Sequence, residues 1–433
     1  MKAIQKSFIK YVSMDILGMI GMSAYILVDT VFISMASGAE GITALNLVLP
    51  IYSLMYAIGS MVATGSAIRF KIGKAKQAKD TDQYFSNAIL FLLLFSIPFI
   101  LMGIFMPEQV LVLLGADERI VAVGTSYTRI FMVFAPFFML NYVFCGFVRN
   151  DNNPTLAMIA TFASSIFNII MDYVFMFPME MGMAGASLAT ALAPVVSILI
   201  CCFHFFRKKN TIRFVWMRLS FQKLWQSCRL GVSAFVGEIS GGVTTMVFNF
   251  LILGIAGNIG VAAYGVLANM SLVAIAIFNG ISQGSQPLFS HAYGKGDRPS
   301  VSALYKMSVV TVLAAALSMV LLVNIMPEQI VAVFNAEQNM EMAAYAVQGL
   351  KLYFLGLFCA GFNIVGTGYL SATEKAGSAF VASVLRGFIA IVVCAWVLSE
   401  LFGMVGIWLA FPVAEGVTTV VMVIAMHRSK TAV

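Results

Sequence analysis

An internal repeat constrains the fold of this chain more than any other feature of its sequence. The sequence MPEQV at residues 106–110 returns as MPEQI at residues 326–330, and three glycine-containing motifs return at nearly the same offset. These are Gly38-x-x-Gly41-x-x-Ala44 with Gly257-x-x-Gly260-x-x-Ala263, Gly73-Lys74 with Gly294-Lys295, and Gly182-Met183-x-Gly185 with Gly403-Met404-x-Gly406. Two similar bundles in one chain are common among secondary transporters, which bind their substrate between the repeats. Transport is therefore the first hypothesis.

The composition places the chain in a membrane. Hydrophobic residues make up 61% of it and charged residues 10%, whereas about a quarter of the residues in a soluble domain are charged. A spanning helix needs roughly 20 apolar residues, and the apolar stretches predict twelve such helices. Their predicted spans are 12–35, 46–67, 86–106, 127–148, 155–178, 183–205, 228–254, 262–288, 304–325, 344–368, 378–399 and 404–426.

These spans predict an all-α membrane protein with 12 transmembrane helices in two six-helix bundles. Because each bundle holds an even number of helices, both bundles enter the membrane from the same side, which makes a parallel repeat. The predicted units are an amino-terminal lobe at 1–206, a linker at 207–224 and a carboxyl-terminal lobe at 225–433.

The basic residues indicate how the chain is oriented. The formal net charge is +7, but most Lys and Arg residues lie in the two tails and the even-numbered loops, as at 69–79 and 207–209. Basic loops face the cytoplasm, so we expect both termini there and no nucleic-acid partner. The linker alternates bases with Phe214, Trp216 and Leu219. That pattern predicts a helix lying in the cytoplasmic interface, with a plain charged tether as the alternative.

Two acids at membrane depth are predicted to meet in the first bundle. Asp29 and Asp172 each lie roughly 10 Å below the outer ends of their helices, given a rise of about 1.5 Å per residue. Asn168 shares the helix face of Asp172, and Thr190 comes down to a similar level. Such oxygen ligands suit a hard cation such as Na⁺, or carboxylates that share and release a proton. The alternative to such a cation or proton site is a structural hydrogen bond between Asp and Asn that only holds the helices together.

The second bundle has no matching cluster. The repeat places Phe248 near the position of Asp29, so coupling chemistry is expected in the first half. Glu238 lies near the midplane, where it would attract an organic cation, take up a proton or make a structural hydrogen bond. For Glu415 the sequence does not distinguish a functional role from a structural one. Central helices also carry residues that are candidates to line a pliable cavity: Phe137, Phe138, Asn141, Tyr142, Met270, Phe354 and Phe362.

At these residues the chain resembles the multidrug and toxic compound extrusion (MATE) family, in its MepA-like and DinF-like branch. The matching pieces are residues 25–30, residues 168–172, Thr190 and Glu238. The resemblance implies a V-shaped antiporter of the bacterial plasma membrane, which exports cationic amphipathic drugs in exchange for H⁺ or Na⁺ by alternating access. By position, Asp29, Asn168, Asp172 and Thr190 match the family's cation site, and Glu238 matches its acid in the second lobe.

Two departures from the family bear on the mechanism. Residues 8–36 contain no proline, although Gly18 and Gly21 would allow the first span to bend. Span ten carries no Asp, so coupling through the second lobe alone is not expected.

Other functional classes fit less well. A flippase for lipid-linked sugars, the alternative within transport, would need bases lining its cavity, and those at membrane depth are confined to helix ends at Arg129, Lys351 and Arg386. An enzyme is not expected, because no zinc-protease, nucleophile-elbow or ATP-binding motif is present. We expect no cofactor, partners limited to organic cations and membrane lipid, and a monomer.

Overall fold

The chain is mostly helical over the residues that the computed structural model describes, 2–335 and 338–431. The helices are α1 (Lys2–Ala75), α2 (Gln83–Phe105), α3 (Pro107–Leu113), α4 (Glu118–Val133), α5 (Ala135–Asn150), α6 (Pro154–Met176), α7 (Gly182–Cys202), α8 (Phe221–Gly294), α9 (Arg298–Ile325), α10 (Pro327–Phe334), α11 (Met340–Tyr353), α12 (Leu357–Ala372), α13 (Ala376–Val384) and α14 (Ala390–Thr431). Short 3₁₀ turns lie at Phe203–Phe206 and Phe354–Gly356, and a π-helical turn at Leu385–Ile389 joins α13 to α14.

The three longest helices reverse direction at a glycine. In α8 the rings of Phe248 and Tyr264 stack with centroids 5.2 Å apart, although sixteen residues of straight helix would separate them by about 24 Å. The reversal is at Gly257, whose φ of 59° and ψ of −155° lie in a region open essentially to glycine alone. Gly38 in α1 and Gly403 in α14 adopt nearly the same conformation.

These reversals bear on the number of membrane crossings. Within the described residues, nine helices are long and apolar enough to cross a membrane, or ten if the pair α4 and α5, bent by 45°, forms one span. The count of ten takes residues 221–294 and residues 376–427 each as one helix. Dividing each of these two at its glycine, Gly257 or Gly403, gives twelve, the number of predicted spans.

The repeated sequence motifs are the corners of the fold. Gly38 and Gly257 are repeat partners, and so are Gly182 and Gly403; all four have positive φ. The repeated Met-Pro-Glu-Gln motifs begin the short helices α3 and α10, with Pro107 and Pro327 at their first turns, where a missing N–H costs no hydrogen bond. The residues that repeat most clearly in the sequence are therefore the glycines and prolines at which the chain turns.

Two hydrophobic cores define two lobes. One core collects buried side chains of α1 to α7, from Ile33 to Phe147 and beyond, and the other is centred on α8 to α14, around Phe278, Phe354 and Trp408. We call these the amino-terminal lobe and the carboxyl-terminal lobe.

The lobes touch at one end of the molecule, which we call the basic end because residues 69–79 and 207–213 lie there. Small residues allow the backbones to meet closely. A Cβ atom added to Gly65 would lie 1.8 Å from the carbonyl oxygen of Ser227, and one added to Gly231 would lie 1.8 Å from that of Met61. Gly284 makes the equivalent close contact with Tyr11, where the start of α1 meets the end of α8.

At the other end, helix faces that point between the lobes are uncovered. Residues 237–238 and 241–242 on the first arm of α8 are exposed although they lie in the middle of an apolar helix. We call the space beside this exposed face of α8, which Tyr142 of the amino-terminal lobe borders, the cleft.

The prediction of an interfacial helix in the linker is wrong, because residues 210–220 form no helix. Side chains of the amino-terminal lobe bind the linker backbone instead. Asp151 accepts hydrogen bonds from the backbone N–H of Thr211 (2.7 Å) and from its hydroxyl (2.5 Å). Asn87 accepts one from the backbone N–H of Ser220 at 2.9 Å. Burial alone would raise the pKa of Asp151, but hydrogen bonds from His204 and Thr211 hold it below its usual value.

We predict that Gly257→Ala destabilises the fold by about 1–3 kcal/mol, because a side chain is strained at this φ and ψ. Gly254→Ala is the matched control: an added Cβ meets no atom within 4 Å at either position, and only Gly257 has a positive φ. The melting temperatures of the two detergent-purified variants provide the measurement. Equal melting temperatures would contradict the prediction.

Candidate functional site

Asp29 and Asp172 meet inside the amino-terminal lobe. Asp29 lies on the first arm of α1, and α6, which begins at Pro154 behind an Asn153 cap, carries Asp172. Their exposed fractions are 7% and 0%, and their carboxyl groups lie close enough to interact with each other. Among the described residues, neither oxygen of Asp172 nor Oδ1 of Asp29 has a hydrogen-bond partner.

Asn168 and Thr190 complete this cluster of four buried residues. The side-chain amide of Asn168 donates a hydrogen bond to the hydroxyl of Thr190 at 3.3 Å, which joins α6 to α7. The Asn168 carbonyl oxygen is buried without a partner. No group of three His, Cys, Asp or Glu residues that could hold a metal ion occurs in the described parts of the chain. A cation here would rely on two carboxylates and these neutral oxygens.

The charge of this cluster is what makes it chemically active. Two carboxylates held together away from water repel each other unless they share a proton or bind a cation. Unpaired buried oxygens also carry a desolvation cost that a proton or an ion would remove. The cluster can therefore exist in an empty form with two negative charges and in an occupied form in which a proton or a cation offsets one of them, and these forms differ in free energy.

Glu238 stands apart from that cluster, in the cleft. It is exposed in the middle of α8, and the hydroxyl of Tyr142 on α5 donates a hydrogen bond to its Oε1 at 3.2 Å. Because Tyr142 belongs to the other lobe, this hydrogen bond crosses the cleft. The ring of Tyr142 also packs edge-on against Tyr56, with centroids 5.3 Å apart.

The predicted cavity residues separate into two groups. Phe137 is exposed beside Phe134, and Asn141 accepts a hydrogen bond from Cys145, both on α5, which also carries Tyr142. Phe138 packs against Tyr52 and Tyr56 and is only 1% exposed, so it lines no cavity in this conformation. The other three lie in the carboxyl-terminal lobe.

Three of the predicted cavity residues belong to the packing of the carboxyl-terminal lobe. Phe354 has no exposed surface and therefore lines no cavity in this conformation. Phe362 packs beside Leu370 and Met422, and Met270 packs against the lobe's core. Helical position alone cannot tell such residues from cavity residues, because both are apolar and central.

Glu415 forms a buried ion pair that the sequence did not reveal. The Nε of Arg386 lies 2.5 Å from Oε1 of Glu415, and the side-chain amide of Asn363 donates to Oε2 at 2.7 Å. The prediction that Arg386 lies at a helix end is wrong: it occupies the π-helical turn at Leu385–Ile389, between two helical segments. The two side chains are 23% and 3% exposed, so the pair is largely desolvated.

Four tyrosines beside the cluster were missed as a group by the sequence analysis. Tyr25 interacts electrostatically with Asp29 and Asp172, and Tyr127 does so from α4. Tyr52 and Tyr56 lie on the second arm of α1, which follows Gly38, and they are next to Tyr25 on the first arm. A signal was present, because Tyr25 precedes Asp29 by four residues and Tyr52 precedes Tyr56 by four, the spacing that shares a helix face.

Ion pairs join the lobes at the basic end. Arg69 of the amino-terminal lobe pairs with Glu374, which follows α12 in the other lobe. Arg149 pairs with Asp15 at 2.6 Å and also donates a hydrogen bond to Gln283 of the carboxyl-terminal lobe at 3.1 Å. Polar contacts therefore reinforce the glycine-mediated contacts that close this end.

Comparison with known proteins agrees with this architecture. The MatE family model matches residues 16–174 and 235–396, one stretch in each lobe. The multidrug export protein MepA of Staphylococcus saprophyticus is 27% identical over 407 residues, covering 93% of this chain and 89% of that protein. MepA of Staphylococcus aureus strain NCTC 8325 is 26% identical over 416 residues, with the same coverage.

Solved structures share the fold. A multidrug resistance MATE family transporter of the MOP superfamily, in an outward-facing conformation, superimposes with a TM-score of 0.92 at 18% identity, covering 99% of this chain and 96% of that one. A variant of the Vibrio cholerae MATE transporter VcmN gives a TM-score of 0.91 at 18% identity, covering 100% and 98%.

We predict that Arg386→Met destabilises the protein by about 3–5 kcal/mol, because it leaves the charge of Glu415 buried without its partner. The double variant Arg386→Met, Glu415→Leu should recover most of that loss, since it removes both charges. Thermal unfolding of the purified variants tests this. A double variant less stable than the single one would contradict it.

Proposed function

Because the chain belongs to the MatE family, we propose that it is a cation-coupled antiporter that exports cationic amphipathic drugs. Its relatives are named as multidrug export proteins over 93% of its length. The observation that carries the proposal is the pair Asp29 and Asp172, two buried carboxylates with unpartnered oxygens beside an open cleft.

The acid pair is the proposed coupling site. In exchange, one inward-moving H⁺ or Na⁺ offsets one of the two negative charges of the pair and relieves their repulsion, which changes the free energy of the amino-terminal lobe. Asn168 and Thr190 would supply neutral oxygens to a Na⁺ ion, whereas a shared proton needs only the two carboxylates. The driving force is moderate, because one charge moving through 100 mV is worth about 2.3 kcal/mol.

The drug site is proposed to lie in the cleft at Glu238. A carboxylate that is exposed in an apolar cleft attracts an organic cation, and the aromatic faces of Tyr142, Tyr56 and Phe137 offer cation–π contacts. A bound cation would compete with Tyr142 for Glu238, and it would thereby weaken the one hydrogen bond described across the cleft.

We infer alternating access from the difference between the two ends of the molecule, one closed and one open. With the basic end in the cytoplasm, as the positive-inside rule indicates, the closed end faces inward and the cleft opens outward. Reaching an inward-open state requires breaking the contacts of Arg69 with Glu374 and of Arg149 with Gln283 while the outer ends approach. We place the protein in the bacterial plasma membrane with both termini in the cytoplasm.

The alternative, a flippase for lipid-linked sugars, finds no specific support. A phosphate-bearing lipid needs unpaired bases in the cleft, and Arg386 is paired with Glu415 inside the carboxyl-terminal lobe. The acid that is exposed in the cleft, Glu238, would repel phosphates.

We predict that Asp172→Asn reduces drug efflux to background, because it removes the charge that a proton or Na⁺ neutralises while conserving side-chain shape. The measurement is ethidium efflux from proteoliposomes under an imposed pH gradient, with and without Na⁺. Glu108→Gln, an exposed acid on α3, is the control and should transport normally. Wild-type efflux by Asp172→Asn would count against the proposed function.

We predict that Glu374→Gln loosens the closed basic end, because it removes the partner of Arg69. Labelling of a cysteine at the buried position Ser227, in a variant without the native cysteines, should accelerate about twofold to fivefold, as expected for an ion pair worth up to about 1 kcal/mol. Glu400→Gln, at the opposite end, should leave labelling unchanged. Equal rates in both variants would refute this role of Glu374.

A further inference from the structure

The buried acid pair and the exposed acid of the cleft are separated, and protons need a route between them. Asp172 has no exposed surface and Asp29 has little, so neither carboxylate exchanges protons freely with water. Glu238, in contrast, is exposed in the cleft. Tyrosine side chains lie between these two sites.

Three tyrosine hydroxyls form a continuous hydrogen-bonded line that starts beside the acid pair. Tyr25 lies four residues before Asp29 on the same helix face and interacts electrostatically with both acids. Its hydroxyl lies 3.4 Å from that of Tyr52. The hydroxyl of Tyr52 then donates a hydrogen bond to that of Tyr56 at 2.5 Å.

Beyond Tyr56 the line of hydrogen bonds stops, and the next contact toward the cleft is between rings. Tyr56 packs edge-on against Tyr142 with centroids 5.3 Å apart, and the hydroxyl of Tyr142 donates to Glu238 at 3.2 Å. Tyr56 also interacts electrostatically with Glu238. Four tyrosines from two helices therefore lie between the acids of the two lobes.

We propose that Tyr25, Tyr52 and Tyr56 form a proton relay between the Asp29–Asp172 pair and the cleft at Tyr142 and Glu238. The inference rests on the proposed function and deepens it, because it identifies the coupling ion as H⁺. A row of hydroxyls passes protons and cannot pass Na⁺.

Along Tyr25, Tyr52 and Tyr56 each step is a proton exchange between hydroxyls, and at the two ends of the line a water molecule carries the proton to the acid pair and to Tyr142. A phenol oxygen accepts a proton from one side on a lone pair while its own O–H bond breaks toward the next oxygen, so one proton enters and one leaves. No group is oxidised or reduced. The hydroxyls then rotate back to their first orientation, because each transfer reverses the direction in which they donate.

The charged and titratable groups around the relay are few. Asp29 and Asp172 act on Tyr25, Glu238 acts on Tyr56 and Tyr142, and Tyr127 faces the acids from α4. A buried tyrosine hydroxyl ordinarily needs one hydrogen-bond partner. The tyrosines could provide such partners for one another at any place in the lobe. Because this line begins beside two acids and leads toward a third, we assign it a role in transport.

Tyr52→Phe tests the relay, because it removes the middle hydroxyl and keeps the ring. The control is Tyr264→Phe, which deletes a buried hydroxyl in the core of the carboxyl-terminal lobe and keeps the ring. Each of the two tyrosine rings stacks on a phenylalanine: Tyr52 on Phe131 with centroids 5.0 Å apart, and Tyr264 on Phe248 with centroids 5.2 Å apart. Tyr56→Phe breaks the same line at another point and serves if Tyr52→Phe fails to fold.

The measurements are ethidium efflux from proteoliposomes under an imposed pH gradient, and equilibrium ethidium binding. Tyr52→Phe should slow efflux at least ~10-fold, given that positioned proton-transfer groups typically contribute about 10²–10⁴-fold. Tyr264→Phe should stay within about twofold of wild type. Ethidium affinity should change less than about twofold in every variant, because each substitution removes only a hydroxyl and keeps the aromatic ring.

The outcomes separate the relay from the proposed function. If the wild type exports ethidium and Tyr52→Phe exports it equally fast, or if Tyr264→Phe falls as far as Tyr52→Phe, the relay is wrong and export stands. Export driven by a Na⁺ gradient and not by a pH gradient also overturns the relay alone. A wild type that exports under neither gradient overturns both.

Discussion

Lipid offers the backbone no hydrogen-bond partners, and this constraint organises the whole molecule. It forces the described chain into helices, and it confines reversals to places where few backbone groups are left open. Gly38, Gly257 and Gly403 make those reversals within a residue or two, in a conformation that other residues rarely adopt. The same constraint explains why buried polar side chains such as Arg386 and Glu415 are paired, and why unpaired ones stand out.

The two lobes use one scaffold for different chemistry. In the carboxyl-terminal lobe, Arg386 neutralises Glu415 and Asn363 satisfies the second carboxylate oxygen, so the charge is permanently compensated. In the amino-terminal lobe, Asp29 and Asp172 lie together, and no ion pair with a base is found for either among the described residues. A compensated pair holds helices together, whereas an uncompensated pair changes state when an ion arrives. The sensitivity to ions that we propose therefore lies in one lobe, and the cleft between the lobes transmits it.

The sequence predicted those site residues that can be recognised from a single helix. Asp29, Asp172 and Glu238 stand out because a single acid in an apolar helix is costly, and the spacing of Asn168 and Asp172 follows from helix geometry. The ion pair of Arg386 with Glu415 was missed because its partners lie on different helices and a π-helical turn changes the direction in which Arg386 points. The linker was mispredicted because Asp151 and Asn87, distant in sequence, bind its backbone in place of a helix.

The sequence by itself determined that this is a membrane protein of two repeated helical lobes, where its corners lie, and which acids are buried. Apolar composition, glycine positions and helical periodicity are local properties, so they can be read from the sequence. Only the tertiary structure decided that the tyrosines on α1 and α5 join into one line and that the lobes close at the basic end. It also decided that Phe354 packs in a core. These outcomes depend on which helix faces meet, and that is set by packing among segments far apart in the chain.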